Sequence, residues 1–182
     1  GPLLEFSETR GDGVILSYDM DDQLAAALFL FKSEHLKHSE YDFKNWGLSI
    51  KAAPIDRVMI GMAYISDISD FRYELLEETE PFNDKTELPA LNTFITLNSH
   101  PYFASAEYVI ALDDLRIERD RNCRPWSVNL ELSRALRRDW EIALRIEWAR
   151  ELEGQPQRRF GTAITYRISE SLNWTNEVLY AT

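Results

Sequence analysis

Trp140-Glu141-Ile142-Ala143-Leu144-Arg145-Ile146-Glu147-Trp148 is the stretch whose reading decides the fold. Its even-numbered positions are all apolar, with a tryptophan at each end, and its odd-numbered positions are Glu, Ala, Arg and Glu. Glu, Ala, Leu and Arg are good helix formers. At about 100° per residue, however, a helix sends Trp140, Leu144 and Trp148 to one side and Ile142 and Ile146 to the other. A strand collects all five on one face. Steps of ~3.3 Å place the two tryptophans ~26 Å apart, and a tilt near ~40° makes this a height of ~20 Å, close to the apolar band of an outer-membrane barrel. A strand of a soluble sandwich or barrel, apolar face inward, fits the same alternation, so the stretch alone leaves open which medium that face meets.

The totals narrow the class. A chain of 182 residues that is 45% hydrophobic and 28% charged has the composition of one folded domain, here taken as a single β domain over 1–182. No run of 18 apolar residues is present, which excludes a membrane-crossing helix, and no signal peptide is evident. Neither counts against a membrane barrel, whose strands are only weakly hydrophobic and whose export signal is removed. A formal charge of -11 argues against a nucleic-acid partner, which requires clustered Lys and Arg. The single cysteine, Cys123, excludes an internal disulfide and a multi-cysteine metal site. Gly1-Pro2 fits a tag remnant or native sequence equally.

Ten strands are expected, at 13–20, 23–32, 43–52, 56–66, 88–98, 102–113, 125–135, 139–150, 159–168 and 171–181. The run Leu24 to Phe31 is apolar on both faces, a pattern that a buried helix shares. The connections are more informative than the strands. They are short around Asp21-Asp22, Ala53-Pro54-Ile55, Ser99-His100-Pro101, Leu136-Arg137-Arg138 and Ser169-Glu170. In between they are long, at 33–42, 67–87, 114–124 and 151–158. In an antiparallel meander this alternation gathers the short turns at one end and the long loops at the other, as in membrane barrels and in some soluble up-and-down barrels.

The fold class expected is therefore all-β: an antiparallel up-and-down transmembrane β-barrel. The polar face would line the lumen with Glu107, Glu131, Glu141, Arg145, Glu147, Arg167 and Glu177. The apolar face would present Trp126, Trp140, Trp148, Tyr64, Tyr108 and Tyr166 as a lipid-facing girdle. Turning Arg145 towards lipid would cost ~2–4 kcal/mol near the midplane, which sets the register if the barrel is in a membrane. With the apolar face inward and the charges in water there is no such cost, and that soluble arrangement is the rival. Both ends of the ten-strand segment fall on the long-loop side. Outer-membrane barrels as a class keep their termini at the other side, so the segment is expected to be incomplete at both ends and part of a larger barrel.

The order of several motifs resembles the middle of the LbtU family of siderophore porins. These are Pro2-Leu3-Leu4-Glu5-Phe6-Ser7-Glu8-Thr9, Leu28-Phe29-Leu30-Phe31-Lys32, Gly61-Met62-Ala63-Tyr64-Ile65-Ser66-Asp67-Ile68-Ser69-Asp70, Glu107-Tyr108-Val109-Ile110-Ala111-Leu112-Asp113-Asp114 and Pro125-Trp126-Ser127-Val128-Asn129-Leu130-Glu131. The motifs are short, and together they span nearly the whole chain. The resemblance implies a Gram-negative outer-membrane β-barrel, with iron-siderophore passage in the characterised branch. It carries no ligand-binding residues with it.

Catalytic signatures are lacking. There is no G-x-S-x-G, Walker or Rossmann glycine pattern, and the seven glycines are scattered. No enzyme, cofactor or metal is expected. Loop 67–87 carries Asp67, Asp70, Glu74, Glu77, Glu78, Glu80, Asp84 and Glu87 against Arg72 and Lys85, which reads as a solvated loop or as a cation vestibule without ordered calcium spacing. His35, His38 and His100 read as surface residues. The expected function is a porin-like channel for a small polar solute, an iron-siderophore among the candidates, with membrane lipid and lipopolysaccharide as surroundings. The alternative is a soluble antiparallel β-barrel or sandwich that binds a small ligand or a protein.

Overall fold

The computed structural model describes residues 11–20, 23–33, 44–68, 88–118, 121–137, 139–150 and 156–182. Every one of the ten expected strands forms. They are β1 (Gly11–Met20), β2 (Leu24–Ser33), β3 (Asn45–Ile55), β4 (Val58–Ile65), β5 (Ala90–Ser99), β6 (Tyr102–Ala111), β9 (Trp126–Arg137), β10 (Trp140–Arg150), β11 (Arg158–Ser169) and β12 (Leu172–Ala181). Each pairs antiparallel with its neighbour in chain order, giving one ten-stranded up-and-down sheet. The sheet is open, with β1 and β12 as its edges. Leu24 to Phe31 is strand: it pairs with β1 on one side and β3 on the other, and its β-branched-poor, Ala- and Phe-rich run is held by those ladders, not by propensity.

One connection was underestimated. Between Asp114 and Arg124 the chain forms a hairpin, β7 (Leu115–Glu118) with β8 (Arg121–Cys123), apart from the main sheet. Its strands are too short for a period of two to stand out in sequence. Arg124 Nε donates to Asp114 Oδ1 at 3.1 Å across its base.

The register carries the functional information, because directly opposed residues in a ladder share a face. Starting from Leu144, the pairings run to Leu132 on β9, Ala104 on β6, Leu97 on β5 and Val58 on β4. They also run to Thr162 and Val178 on β11 and β12. On that face β1 to β3 place Val14, Leu16, Tyr18, Leu28, Leu30, Trp46, Leu48 and Ile50. This largely apolar face is the accessible one: Leu144 is 50% exposed, Leu132 49% and Leu48 45%. The opposite face carries Glu107, Glu131, Arg145 and Glu147 with many small residues, and in the middle of the sheet it is the covered one, whereas on the edge strands it is open too, Ile15 being 71% and Leu179 57% exposed. Val109, Ala111, Ser127, Ser133, Glu147 and Ala149 all lie on it and are all buried. Such a difference is what a sheet curled around its polar side produces, so the two faces are called inner and outer below.

Close approach on the inner face relies on glycine at two positions. The Phe29 ring lies over Gly47, its partner on β3, and the Phe94 ring over Gly61, its partner on β4. Aromatic rings of this kind cover backbone that a glycine leaves bare.

Candidate functional site: the charged inner face

All seven residues expected to line a lumen fall on the inner face. Glu107, Asn129 and Glu147 are successive register partners across β6, β9 and β10, and Arg159 on β11 continues the row. Directly below, Ser105, Glu131, Arg145 and Gly161 form the next row. Asn92 Nδ2 on β5 donates to Glu107 Oε1 at 2.6 Å. Arg145 Nε donates to Asn129 Oδ1 at 3.2 Å, and the guanidinium pairs with Glu147 two residues along its own strand.

Gly161 opens the next step. A Cβ there would meet Leu179 Cδ2 at 2.9 Å, with Arg145 Cβ at 3.5 Å and Glu177 Oε1 at 3.6 Å close by, so the glycine makes room for the Leu179 side chain. Arg145, Asn129 and Glu147 thus form one bonded group, with Glu107 held separately by Asn92 and with Glu131 and Glu177 beside the group on the same face. Glu141 and Arg167 lie on that face but apart from these residues, exposed near the short turns. Asn92, Asn129 and Arg159 were not singled out from sequence. Their parity within the strands was the available signal.

The paired arginine has a measurable consequence. Glu147 is only 4% exposed, and burying a carboxylate without a partner is costly. Arg145→Met is expected to destabilise the protein by about 1–2 kcal/mol. The loss stays below that of a fully isolated pair because Arg159 stands opposite Glu147. A urea titration read by gel mobility of the folded form checks this, and Glu147→Gln in the Arg145→Met background should restore part of the loss.

Trp126, Trp140, Trp148, Tyr64, Tyr108 and Tyr166 share the outer face. Tyr108 and Trp126 have ring centroids 6.3 Å apart, and Trp140 and Tyr166 4.7 Å. Trp46 and Tyr64 add a pair at 5.0 Å. Trp46, Tyr64, Tyr108, Trp126, Trp148 and Tyr180 lie towards the long connections. Tyr18, Tyr102, Trp140, Tyr166 and Trp174 lie towards the short turns, where Arg134 sits 5.2 Å from the Tyr102 ring. Every tryptophan, and every tyrosine among the described residues, is on the outer face; among the described phenylalanines only Phe160 is. Trp46, Trp174, Tyr18, Tyr102 and Tyr180 were not singled out from sequence, although Trp174 and Tyr180 stand towards the two ends of β12, and Tyr102 and Tyr108 towards those of β6, as the tryptophans do in β10.

The acidic connection is seen only at its base. Asp67 is buried, its Oδ1 accepts from Leu88 N at 3.0 Å, and Ile68 N donates to Leu88 O at 2.9 Å. Asp67 therefore latches the two ends of the connection and is withdrawn from a vestibule role. Its other acids, with His35 and His38, lie outside the described residues. His100 is exposed in the turn before Pro101. Among the described residues no group of three or more His, Cys, Asp or Glu is arranged to hold a metal. Ser127 Oγ is buried on the inner face without a hydrogen-bond partner among the described residues.

Comparison of the chain with known protein families, with characterised proteins and with solved structures finds no match.

Proposed function

We propose that this chain forms the wall of a Gram-negative outer-membrane β-barrel that passes a small polar solute by diffusion. The observation that carries the reading is the inverted polarity of the middle of the sheet: there the accessible face is apolar and the covered face holds charges, Glu147 and its partner Arg145 among them. A sheet packed in water does the opposite, because exposed apolar area costs ~25 cal/mol per Å². Lipid removes that cost. The two aromatic belts support the same reading, since rings with a polar handle favour the membrane interfaces. Gathering of all long connections at one end matches the external side of such barrels, and the resemblance to siderophore porins suits an iron-siderophore as the cargo.

In this reading no covalent chemistry is needed. Closure comes from pairing at the β1 and β12 edges, which also removes their unpaired backbone groups from the bilayer. The lumen set holds five carboxylates against two guanidinium groups, so cations and cationic groups on a solute are favoured. Reconstituted in planar bilayers under a KCl gradient, the protein is expected to show stepwise conductance with a reversal potential favouring K⁺ over Cl⁻. It should also require detergent for extraction and migrate faster on gels when unheated. A monodisperse preparation in detergent-free buffer would falsify the membrane assignment and favour a soluble ligand-binding β protein.

A further inference from the structure

The charges of the sheet are sorted by sign between its two faces. Along β2 to β12 of the main sheet every carboxylate, Glu107, Glu131, Glu141, Glu147 and Glu177, stands on the inner face, whereas Arg134, Arg150 and Arg158 stand on the outer one. In a chain of formal charge -11 the outer face of these strands is thus cationic.

Two of the three arginines are neighbours. Trp148 is the register partner of Arg158, and Arg150 follows Trp148 by two positions on the same face. Arg150 and Arg158 are therefore diagonal neighbours across β10 and β11, with Cα atoms ~7–8 Å apart. Trp126 is the register partner of Arg150. Both arginines are exposed, and Arg150 lies ~7 Å beyond Trp148 towards the long connections. Two guanidinium groups thus stand at the rim of that aromatic belt. At the same end Arg124 and Asp114 satisfy each other at 3.1 Å. Arg150 also has an interaction within the protein; a guanidinium carries five donors, so it can hold a second partner.

We infer that Arg150 and Arg158 bind a lipid headgroup that ends in a phosphomonoester, with Trp126 and Trp148 at the acyl boundary beneath it. Such a phosphate carries about -1.5 to -2 at neutral pH and three acceptor oxygens, a charge that two guanidinium groups match and a geometry that their planar forks grip. A phosphodiester offers less charge, and a zwitterionic headgroup sets its own cation beside the phosphate. The height is right as well, since indole rings favour the interface and long basic side chains reach from it to the headgroups. The inference rests on the membrane reading, because it takes the outer face to meet lipid.

The test folds the full chain into phosphatidylcholine vesicles doped with brominated-chain phosphatidic acid, phosphatidylglycerol or phosphatidylcholine. Trp126 and Trp148 stand beside the arginines, so quenching of tryptophan emission reports how strongly each lipid associates. Phosphatidic acid should associate at least about 5-fold more tightly than phosphatidylcholine, with phosphatidylglycerol between them. Arg150→Gln and Arg158→Gln should each lower that preference by up to about 5-fold, and together they should abolish it. Arg57→Gln, the same charge change in a short turn at the other end, should leave it unaltered. Equal association of phosphatidic acid with either comparator, or a preference kept in the folded double variant, overturns the site. Equal quenching by all three lipids does so while leaving the membrane reading in place. Absence of quenching by every lipid, phosphatidylcholine included, overturns the membrane reading and the site with it.

Discussion

Leu144→Arg is expected to lower the stability of the protein folded into a bilayer by about 2–4 kcal/mol. Leu144 lies near the middle of β10 on the outer face, between Leu132 on β9 and Thr162 on β11. In the proposed orientation the new guanidinium meets acyl chains at the depth where no water or headgroup reaches it without bilayer distortion. In water the same substitution goes the other way: a half-exposed leucine becomes a solvated charge, with a change within about 0.5 kcal/mol. The sign and size of the effect therefore report which medium the apolar face meets. Ala27→Arg provides the inward control, since Ala27 faces the interior between Ser17 and Ser49 and should change stability by less than about 1 kcal/mol. Urea titrations of folding into lipid vesicles, followed by tryptophan emission, give both values. An unaffected Leu144→Arg beside a damaged Ala27→Arg would reverse the assignment of the two faces.

Gly47→Ala is expected to destabilise by about 2–3 kcal/mol, against about 1 kcal/mol or less for Gly61→Ala. Replacing a strand glycine by alanine ordinarily stabilises, because glycine loses more chain entropy on folding and has no side chain to pack. Here the local space decides otherwise. A Cβ at Gly47 would lie 2.1 Å from Phe29 Cζ and also 2.7 Å from the Tyr64 carbonyl oxygen. The ring can rotate away; the carbonyl belongs to the β3–β4 ladder and cannot move without disturbing it. At Gly61 the near atoms are Phe94 Cε1 at 2.3 Å and Cζ at 2.5 Å, both at the mobile end of a side chain. Adding Phe29→Ala should therefore fail to rescue Gly47→Ala, a result that a double-mutant cycle in urea reads directly. Full rescue would mean that the ring alone sets the cost.

Much of the fold was legible because each strand announces itself locally. The alternation in Val58 to Ile65, Ala104 to Leu112 and Trp140 to Trp148 is a property of neighbouring residues, and it survives into β4, β6 and β10. The long and short connections could be ordered for the same reason. The β7–β8 hairpin escaped, being too short for any period to show. Candidate lumen residues were legible as a face and not as a site. Parity placed Glu131 and Arg145 on one side of the sheet, whereas the turn of Arg145 towards Asn129 and Glu147 depends on register across three strands.

The sequence by itself determined the strand count of the main sheet, the side on which each strand carries its charges, and the end at which the long connections gather. Period and connection length are local quantities that a linear chain states outright. Only the tertiary structure decided which face is accessible, which carboxylates have partners, and that Gly47, Gly61 and Gly161 make room for Phe29, Phe94 and Leu179. Those outcomes depend on curvature and cross-strand register. Both arise when distant strands pair, and neither is written in the spacing of residues along one strand.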